Sequence, residues 1–395
     1  MDSNQKNSIL SFLSALLQQH RQEIMEANRA DMHAFPDMDD SMRDRLKVDD
    51  QKIDGMIRSL EEVAAQSDPE GKTIYQFTRE DGLRIVNRTV PFGTILIIYE
   101  SRPDVTIEAA ATAFKAGNRI LLKGGKEAFH TNTFLTGLWQ QALTDQGEDK
   151  SWVEYLSLTH HETQQLIREN SRHVDLIIPR GGEGLIRFVQ ENASMPVIVS
   201  GRGNNFLYVE SDADQTMATQ LILNGKQRIS VCNAIDKILI HTGWPHLQER
   251  LSDLVTLLSR KGIEVWGSSE IAALCDAIRI ENDAATLCEE YLAPKLYLTL
   301  VHDIGEATDL INRYSGGHSA VIVTSDPVKA DHFMQEADCA AVYHNASSRF
   351  TDGGQFGVGA EIAISTQKLH FRGPLRAQEL VTNKWFVYGE GHIRE

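Results

Sequence analysis

The chain predicts an α/β fold built on open parallel sheets with helices on their faces. Three observations carry that expectation. Short apolar runs of strand length alternate with runs of helical spacing over most of the 395 residues. The composition, 42% hydrophobic and 24% charged, is that of an ordinary globular protein, and the length suggests two or three domains. Neither an internal repeat nor a low-complexity tract interrupts the alternation.

In chain order, Ile9, Phe12, Leu13, Leu16 and Leu17 recur at helical spacing, as do Ile53, Met56, Ile57 and Leu60. From Phe77 to Thr89 short stretches flank Asp81-Gly82, the signal of a β-hairpin. Strands are expected at Thr94 to Tyr99, Asn118 to Leu122, Val174 to Ile178 and Pro196 to Val199. Helices are expected at Val105 to Ala116, Thr131 to Leu143 and Glu183 to Asn192. A second alternating set follows Cys232, with strands at Lys237 to His241, Lys295 to Leu300, Ser319 to Val323 and Ala340 to Tyr343. Its helices are Pro245 to Arg260 and Pro327 to Glu336. The Gly-rich stretch Asp352 to Gly359 closes that set, and Thr382 to Gly389 is apolar enough to pair as a last strand.

The formal net charge of -16 argues against nucleic acid as a partner, because such a partner demands a basic face. An anionic substrate would instead require a locally basic site. The four cysteines, Cys232, Cys275, Cys288 and Cys339, are widely spaced without a CxxC pair, which fits neither a disulfide framework nor a zinc site and suits a reducing compartment. Met1 to Gln5 lacks the basic and apolar regions of a signal peptide, and no apolar run reaches the roughly 18 residues of a membrane span. A cytoplasmic protein without a membrane segment is expected, so the Asn-x-Ser/Thr triplets at Asn87, Asn192 and Asn345 are chance matches.

The stretch Gln227-Arg228-Ile229-Ser230-Val231-Cys232-Asn233-Ala234 sets a thiol between two nearby cations, Lys226 and Arg228, and the apolar run Ile235 to Ile240. Positive charge favours the thiolate, the nucleophilic form of cysteine. The alternative is a small apolar core residue. Leu122-Lys123-Gly124-Gly125-Lys126-Glu127 ends a strand where α/β folds bind ligands, and its lysines suit the ribose and phosphate of a nucleotide, or else form a solvated turn. Arg180-Gly181-Gly182-Glu183-Gly184 passes from strand to helix, where free amides favour a pyrophosphate, although no G-x-G-x-x-G fingerprint occurs. In Asn345-Ala346-Ser347-Ser348-Arg349-Phe350-Thr351-Asp352, hydroxyls and a guanidinium share a loop able to clasp an anion, or to form a capped turn with a surface ion pair. His160-His161 reads as a solvated face, Cys275, Cys288 and Cys339 as core fillers, and no metal site is expected.

Taken together, these residues resemble the gamma-glutamyl phosphate reductases (glutamate-5-semialdehyde dehydrogenases), a branch of the aldehyde dehydrogenase superfamily. The resemblance rests on Tyr99 to Pro103, Leu122 to Ala128, Ile177 to Gly182, Gln227-Arg228, Ser230 to Ala234, Asn345 to Ser347, Arg349 to Gly354 and Ile364 to Lys368. It covers nearly the whole chain in order. It implies reduction of gamma-glutamyl phosphate with NADPH to glutamate 5-semialdehyde, NADP and phosphate, in proline biosynthesis. By that analogy Cys232 is the nucleophile and passes through a thioester, with its own amide as the first candidate oxyanion donor. Lys123 matches the lysine on the adenine ribose and Glu290 the glutamate on the nicotinamide ribose. Gly181 and Gly182 are further cofactor candidates, and Arg228, Ser347, Arg349 and Thr351 are the candidates for substrate anions.

The implied fold is aldehyde dehydrogenase-like: two open parallel-sheet α/β domains and a small β oligomerisation flap. The expected limits are 1–226 for the cofactor domain, with 360–378 returning to it and a hairpin at 71–90 interrupting it. The catalytic domain is expected at 227–359 and a C-terminal oligomerisation strand at 379–395. Partners implied are a second copy of the chain and the upstream glutamate kinase. The chain departs from the family at Ile229, where proline is usual, at Ser200 to Asn205, which lacks histidines, and at Ala320, where glutamate is usual. No glutamate occupies Ser200 to Asn205, where hydrolytic relatives keep a general base, and this suits a reductase. The alternatives are another acyl-phosphate or acyl-CoA reductase of the superfamily, or a catalytically silent binding protein.

Overall fold

The structure is a computed structural model describing residues 1–229 and 231–394; of Asp40 and Ser41 only the backbone is described. The chain forms two compact units. The first comprises 1–199, 357–363 and 375–395, the second 200–356 and 364–374.

The first unit opens with helices α1 (Ser3–Gln19), α2 (Arg21–Ala34), α3 (Asp40–Leu46) and α4 (Asp50–Ala65). The face of α1 that carries Ile9, Leu10, Leu13 and Leu17 is fully buried, each side chain contributing about 1.5–3 kcal/mol of transfer free energy. Strands β1 (Thr73–Thr78) and β2 (Arg84–Pro91) pair antiparallel as the expected hairpin, turning through Gly82 at φ 89°. Next come β3 (Thr94–Tyr99), α5 (Val105–Lys115), β4 (Arg119–Lys123), α6 (Phe129–Asp145), β5 (Val153–Tyr155), α7 (His160–Glu169), β6 (Leu176–Arg180) and α8 (Glu183–Asn192). Four strands make a parallel sheet in the order β5-β4-β3-β6. The central β3 is buried along nearly its whole length, which explains its unbroken run of apolar residues. The order reverses between β3 and β6, so the loops leaving those two strands flank a topological switch point.

The second unit contains β7 (Asn205–Val209), α9 (Gln215–Lys226), β8 (Ile235–His241), α10 (Leu247–Arg260), β9 (Glu264–Gly267), α11 (Ser269–Ala272), β10 (Arg279–Ile280), β11 (Lys295–Val301), α12 (Ile304–Tyr314), β12 (Ser319–Val323), α13 (Pro327–Glu336) and β13 (Ala341–His344). Its seven strands run parallel in the order β10-β9-β11-β8-β7-β12-β13, with an apolar cluster on each face. A small antiparallel pair, β14 (Ile364–Ser365) and β15 (Gly373–Pro374), belongs to the same unit. Finally β16 (Val381–Tyr388) returns to the first unit and pairs with β2, giving the three-stranded sheet β1-β2-β16. Among the described residues no helix is long and apolar enough to cross a membrane.

Two expectations need correction. The division between units falls after Val199, not at 226, because β7 lies between β8 and β12 and cannot be separated from that sheet. The same division splits 360–378, sending 364–374 to the second unit. Pro196 to Val199 is not a strand. It makes one bridge, Ile177 with Val197, through Ile177 N to Pro196 O and Ile198 N to Ile177 O, before the chain leaves for the second unit.

Candidate active site

In the first unit the loop after β4 opens onto a pocket of about 370 Å3 lined by Lys123, Lys126, Phe35, Phe129, His130 and Tyr155, among others. Lys123 donates from Nζ to Gly124 O at 2.7 Å; burial lowers its pKa, against the opposing influence of Glu127. The Lys126 ammonium stands 5.8 Å from the centre of the Phe35 ring. The two nearby acids are both committed elsewhere. Asp31 accepts from His130 N, Thr131 N and Thr131 Oγ1 at 2.9, 2.8 and 2.6 Å, capping the start of α6. Glu127 accepts from Ser101 N and Oγ at 2.7 and 2.8 Å. Two lysines among aromatic walls fit the adenosine end of a dinucleotide.

Gly181 and Gly182 do come to the switch point, at the start of α8. The amide there is already engaged, however: Gly182 N donates to Glu100 Oε2 at 2.8 Å. A Cβ on Gly181 would lie 2.5 Å from the same oxygen. Glu100, at the end of β3, therefore fills the anion position that the sequence leaves open for a pyrophosphate.

In the second unit the candidates gather at the amino ends of β7, β8, β11 and β12. Cys232 is exposed, ahead of β8, and its neighbour Asn233 is buried. Its loop is held from below by Asn205, whose Nδ2 donates to the carbonyls of Cys232, Ala234 and Gly203 at 2.7, 2.6 and 3.1 Å. Gly203 lies so close that a Cβ there would sit 2.2 Å from Cys232 O, so no larger residue fits. Glu290, half-buried, accepts from the Gly203 amide, and burial followed by Asp236 raises its carboxyl pKa.

On the facing loop, Arg349 donates through Nη1 to Asn233 Oδ1. Desolvation and then Arg228 lower the pKa of its guanidinium, while Cys232 and Asp352 oppose that effect. Arg228 is exposed. Ser347 is buried, its Oγ accepting from Arg349 N at 3.3 Å. Thr351 does not present its side chain to a ligand. It is buried, and its Oγ1 is paired with Ser319 Oγ at 2.7 Å and Tyr343 OH at 2.6 Å. The chain of bonds ends on His318, fully buried and held neutral by a pKa pushed down to about 4. Thr351 thus shapes the loop that carries Arg349.

Lys226 also needs correction as a cation beside the thiol. At the end of α9 it turns inward and forms a buried ion pair with Asp236 Oδ1 at 2.5 Å. The cation that does reach this loop is the guanidinium of Arg349, 116 residues away in sequence, which binds Asn233 next to Cys232. Ser230 lies outside the described residues. Ala320 sits fully buried in the apolar cluster with Phe206 and Tyr208, so this departure from the family fills core space. Cys339 is a core residue as expected and Cys275 packs partly against the core, but Cys288 is half-buried in a 3-10 turn. His160 and His161 are exposed, as expected of a solvated face. Sequence reasoning gave no role to Asn205, Asn233 or Glu100, although Glu100 and Asn233 lie within the motifs Tyr99 to Pro103 and Ser230 to Ala234, because their roles rest on bonds to loops distant in sequence.

Comparison with known proteins agrees with this arrangement. The aldehyde dehydrogenase family model matches residues 1–262 and 277–360. The gamma-glutamyl phosphate reductase of Geobacillus kaustophilus is 41% identical over 399 residues, covering 100% of this chain and 95% of its own. That of Koribacter versatilis is 42% identical over 396 residues, with the same coverage. The crystal structure of the Thermotoga maritima gamma-glutamyl phosphate reductase superposes with a TM-score of 0.93 at 40% identity, covering 100% of this chain and 95% of that one. An exposed cysteine in a cradle of amides and guanidinium, on an aldehyde dehydrogenase-like fold matched along its full length, places this chain in the aldehyde dehydrogenase family and, within it, among the gamma-glutamyl phosphate reductases.

Proposed function

We propose that this protein reduces gamma-glutamyl phosphate to glutamate 5-semialdehyde, with Cys232 as the covalent nucleophile and NADPH as the preferred reductant. The observation that carries this reading is the exposed Cys232 thiol with the Arg349 guanidinium bonded to its neighbour Asn233. The thiolate adds to the acyl carbon, the bond to the phosphate oxygen breaks, and the departing phosphate takes up a proton, leaving a thioester on Cys232. Arg349 and Arg228 balance the anionic charge of substrate and leaving group. A nicotinamide cofactor held at this site would supply the hydride that reduces the thioester carbon. Collapse of the resulting thiohemiacetal returns the Cys232 thiolate and frees the aldehyde. A Cβ at Gly203 would strike the Cys232 backbone, so position 203 itself cannot carry a water-activating side chain, which favours survival of the thioester.

The first-unit pocket supports the preference for NADPH. Enzymes selective for NADH place a free carboxylate on the ribose 2′-hydroxyl, whereas a cation accommodates the 2′-phosphate. Here Asp31 and Glu127 are bonded elsewhere while Lys123 and Lys126 line the pocket. Lys126→Glu is expected to raise KM for NADPH by about 10- to 100-fold and to change KM for NADH by less than about threefold. Equal losses with both nucleotides would remove Lys126 from that role.

The exposed apolar side chains on the β1-β2-β16 sheet, Ile74, Tyr75, Phe77, Trp385 and Val387, support association of that sheet with a second copy of the chain. The assay that tests the function runs in reverse, with glutamate 5-semialdehyde, NADP and inorganic phosphate. NADP reduction that requires phosphate is the expected result. Reduction that ignores phosphate, or that requires coenzyme A, would overturn the assignment.

A further inference from the structure

We propose that Asn233 is a positioning residue that fixes the Arg349 guanidinium beside the Cys232 thiol and so holds the nucleophile ionised. The inference rests on Cys232 being the nucleophile and concerns what readies it.

The argument begins with the inventory of a carboxamide, which has one oxygen to accept and two hydrogens to donate. Asn233 commits all of them to one loop. Its Oδ1 accepts from Arg349 Nη1, and its Nδ2 donates to Arg349 O at 3.2 Å and Thr351 O at 3.1 Å. The Asn233 main chain joins in, its carbonyl accepting from Ser348 Oγ at 2.7 Å. One side chain thereby binds both the backbone and the guanidinium of the same arginine. Aspartate lacks the two donors, and leucine of similar size lacks all three side-chain bonds. Asn233 itself is buried, whereas Cys232 next to it is exposed. Asn205 anchors the other side of the thiol by holding the Cys232 carbonyl, so the loop is clamped on both sides of the sulfur.

The charged groups around this corner are Arg228 on the thiol's own loop, Arg349 and Asp352 on the facing loop, and Arg202 and Glu290 beside Gly203. Arg228 is exposed, so solvent screens it. Arg349 is half-buried and tied at its head, the condition under which a cation acts strongly on a neighbouring thiol. Freed from Asn233, the same guanidinium would extend into water and its influence would fall.

The test measures alkylation of Cys232 by iodoacetamide against pH on the full chain, with the modified peptide quantified by mass spectrometry. Unmutated protein, Asn233→Ala, Arg349→Met and the double variant are compared. Asn233→Ala should move the midpoint upward by about one pH unit, and Arg349→Met should do the same. The double variant should move it no further than either change alone. In the phosphate-dependent reverse assay, kcat/KM should fall by about 10- to 100-fold in all three. A midpoint unchanged in folded Asn233→Ala, or shifts that add in the double variant, would overturn the proposal. Should Asn233→Ala fail to fold, Arg349→Met decides, because an unmoved midpoint in that variant removes the guanidinium from the thiol's environment. Activity surviving Cys232→Ala would instead bring down the nucleophile assignment itself. An inactive Cys232→Ala beside an unaltered Asn233→Ala would bring down this inference alone.

Discussion

Replacing Cys232 with Ala is expected to lower kcat for reduction of the acyl phosphate by about 10⁴-fold or more, while the dissociation constant for NADPH changes by less than about threefold. The size follows from chemistry: without the sulfur no thioester forms, and the hydride would have to reach an acyl phosphate directly. The nucleotide should be insensitive because Cys232 is exposed on a loop whose shape is set by other atoms. Asn205 holds the Cys232 carbonyl and Asn233 holds the facing loop, and neither contact uses the sulfur. Rapid-mixing kinetics and fluorescence titration with NADPH provide the two measurements. Retained turnover would remove covalent catalysis, whereas lost nucleotide binding would show that the sulfur supports the fold.

A comparably large effect, on stability, is expected at Asp236. Lys226 and Asp236 form an ion pair whose side chains are 0% and 2% exposed, and water cannot compensate for the loss of either partner. Burial lowers the Lys226 pKa and the Asp236 carboxylate opposes that shift, so it favours the charged ammonium. Its second oxygen accepts from Tyr291 N at 2.8 Å. The ring of Tyr291 lies 3.6 Å from the ammonium of Lys237, itself buried enough to have its pKa lowered to about 7. Asp236→Ala therefore leaves one cation unpaired and one amide unbonded, and removes one anchor of the Glu290–Tyr291 segment. A loss of about 3–5 kcal/mol in denaturant unfolding is expected. The pair Lys226→Met with Asp236→Asn removes both charges and keeps an acceptor for Tyr291 N, so it should recover most of that loss. If the neutral pair unfolds as readily as Asp236→Ala, the penalty comes from packing and not from the stranded charge.

What could be read in the sequence was what repeats locally. Thr94 to Tyr99 and Ser319 to Val323 are unbroken apolar runs of strand length, and both strands have those limits. The flap hairpin was legible because Asp81-Gly82 can turn where most residues cannot. β7 escaped notice because polar Asn204 and Asn205 stand before it and at its first position, and their burial is explained only by the carbonyls they bind. Lys226 was misplaced because nearness in sequence was read as nearness in space. A helix end directs its side chains around a circle, and this one points at β8. Arg349 was identified as an anion ligand from its loop, but its bond to Asn233 next to Cys232 joins residues 116 apart, which no local pattern encodes.

The placement of β16 has a consequence for biosynthesis. Its eight residues supply the second partner of β2, yet they are translated some three hundred residues after it. Until position 388 clears the ribosome, β2 must wait with one side of its ladder open. Nascent chains and premature stops therefore share a sticky margin that the finished protein covers, and a chaperone that masks strand edges would have its longest task here.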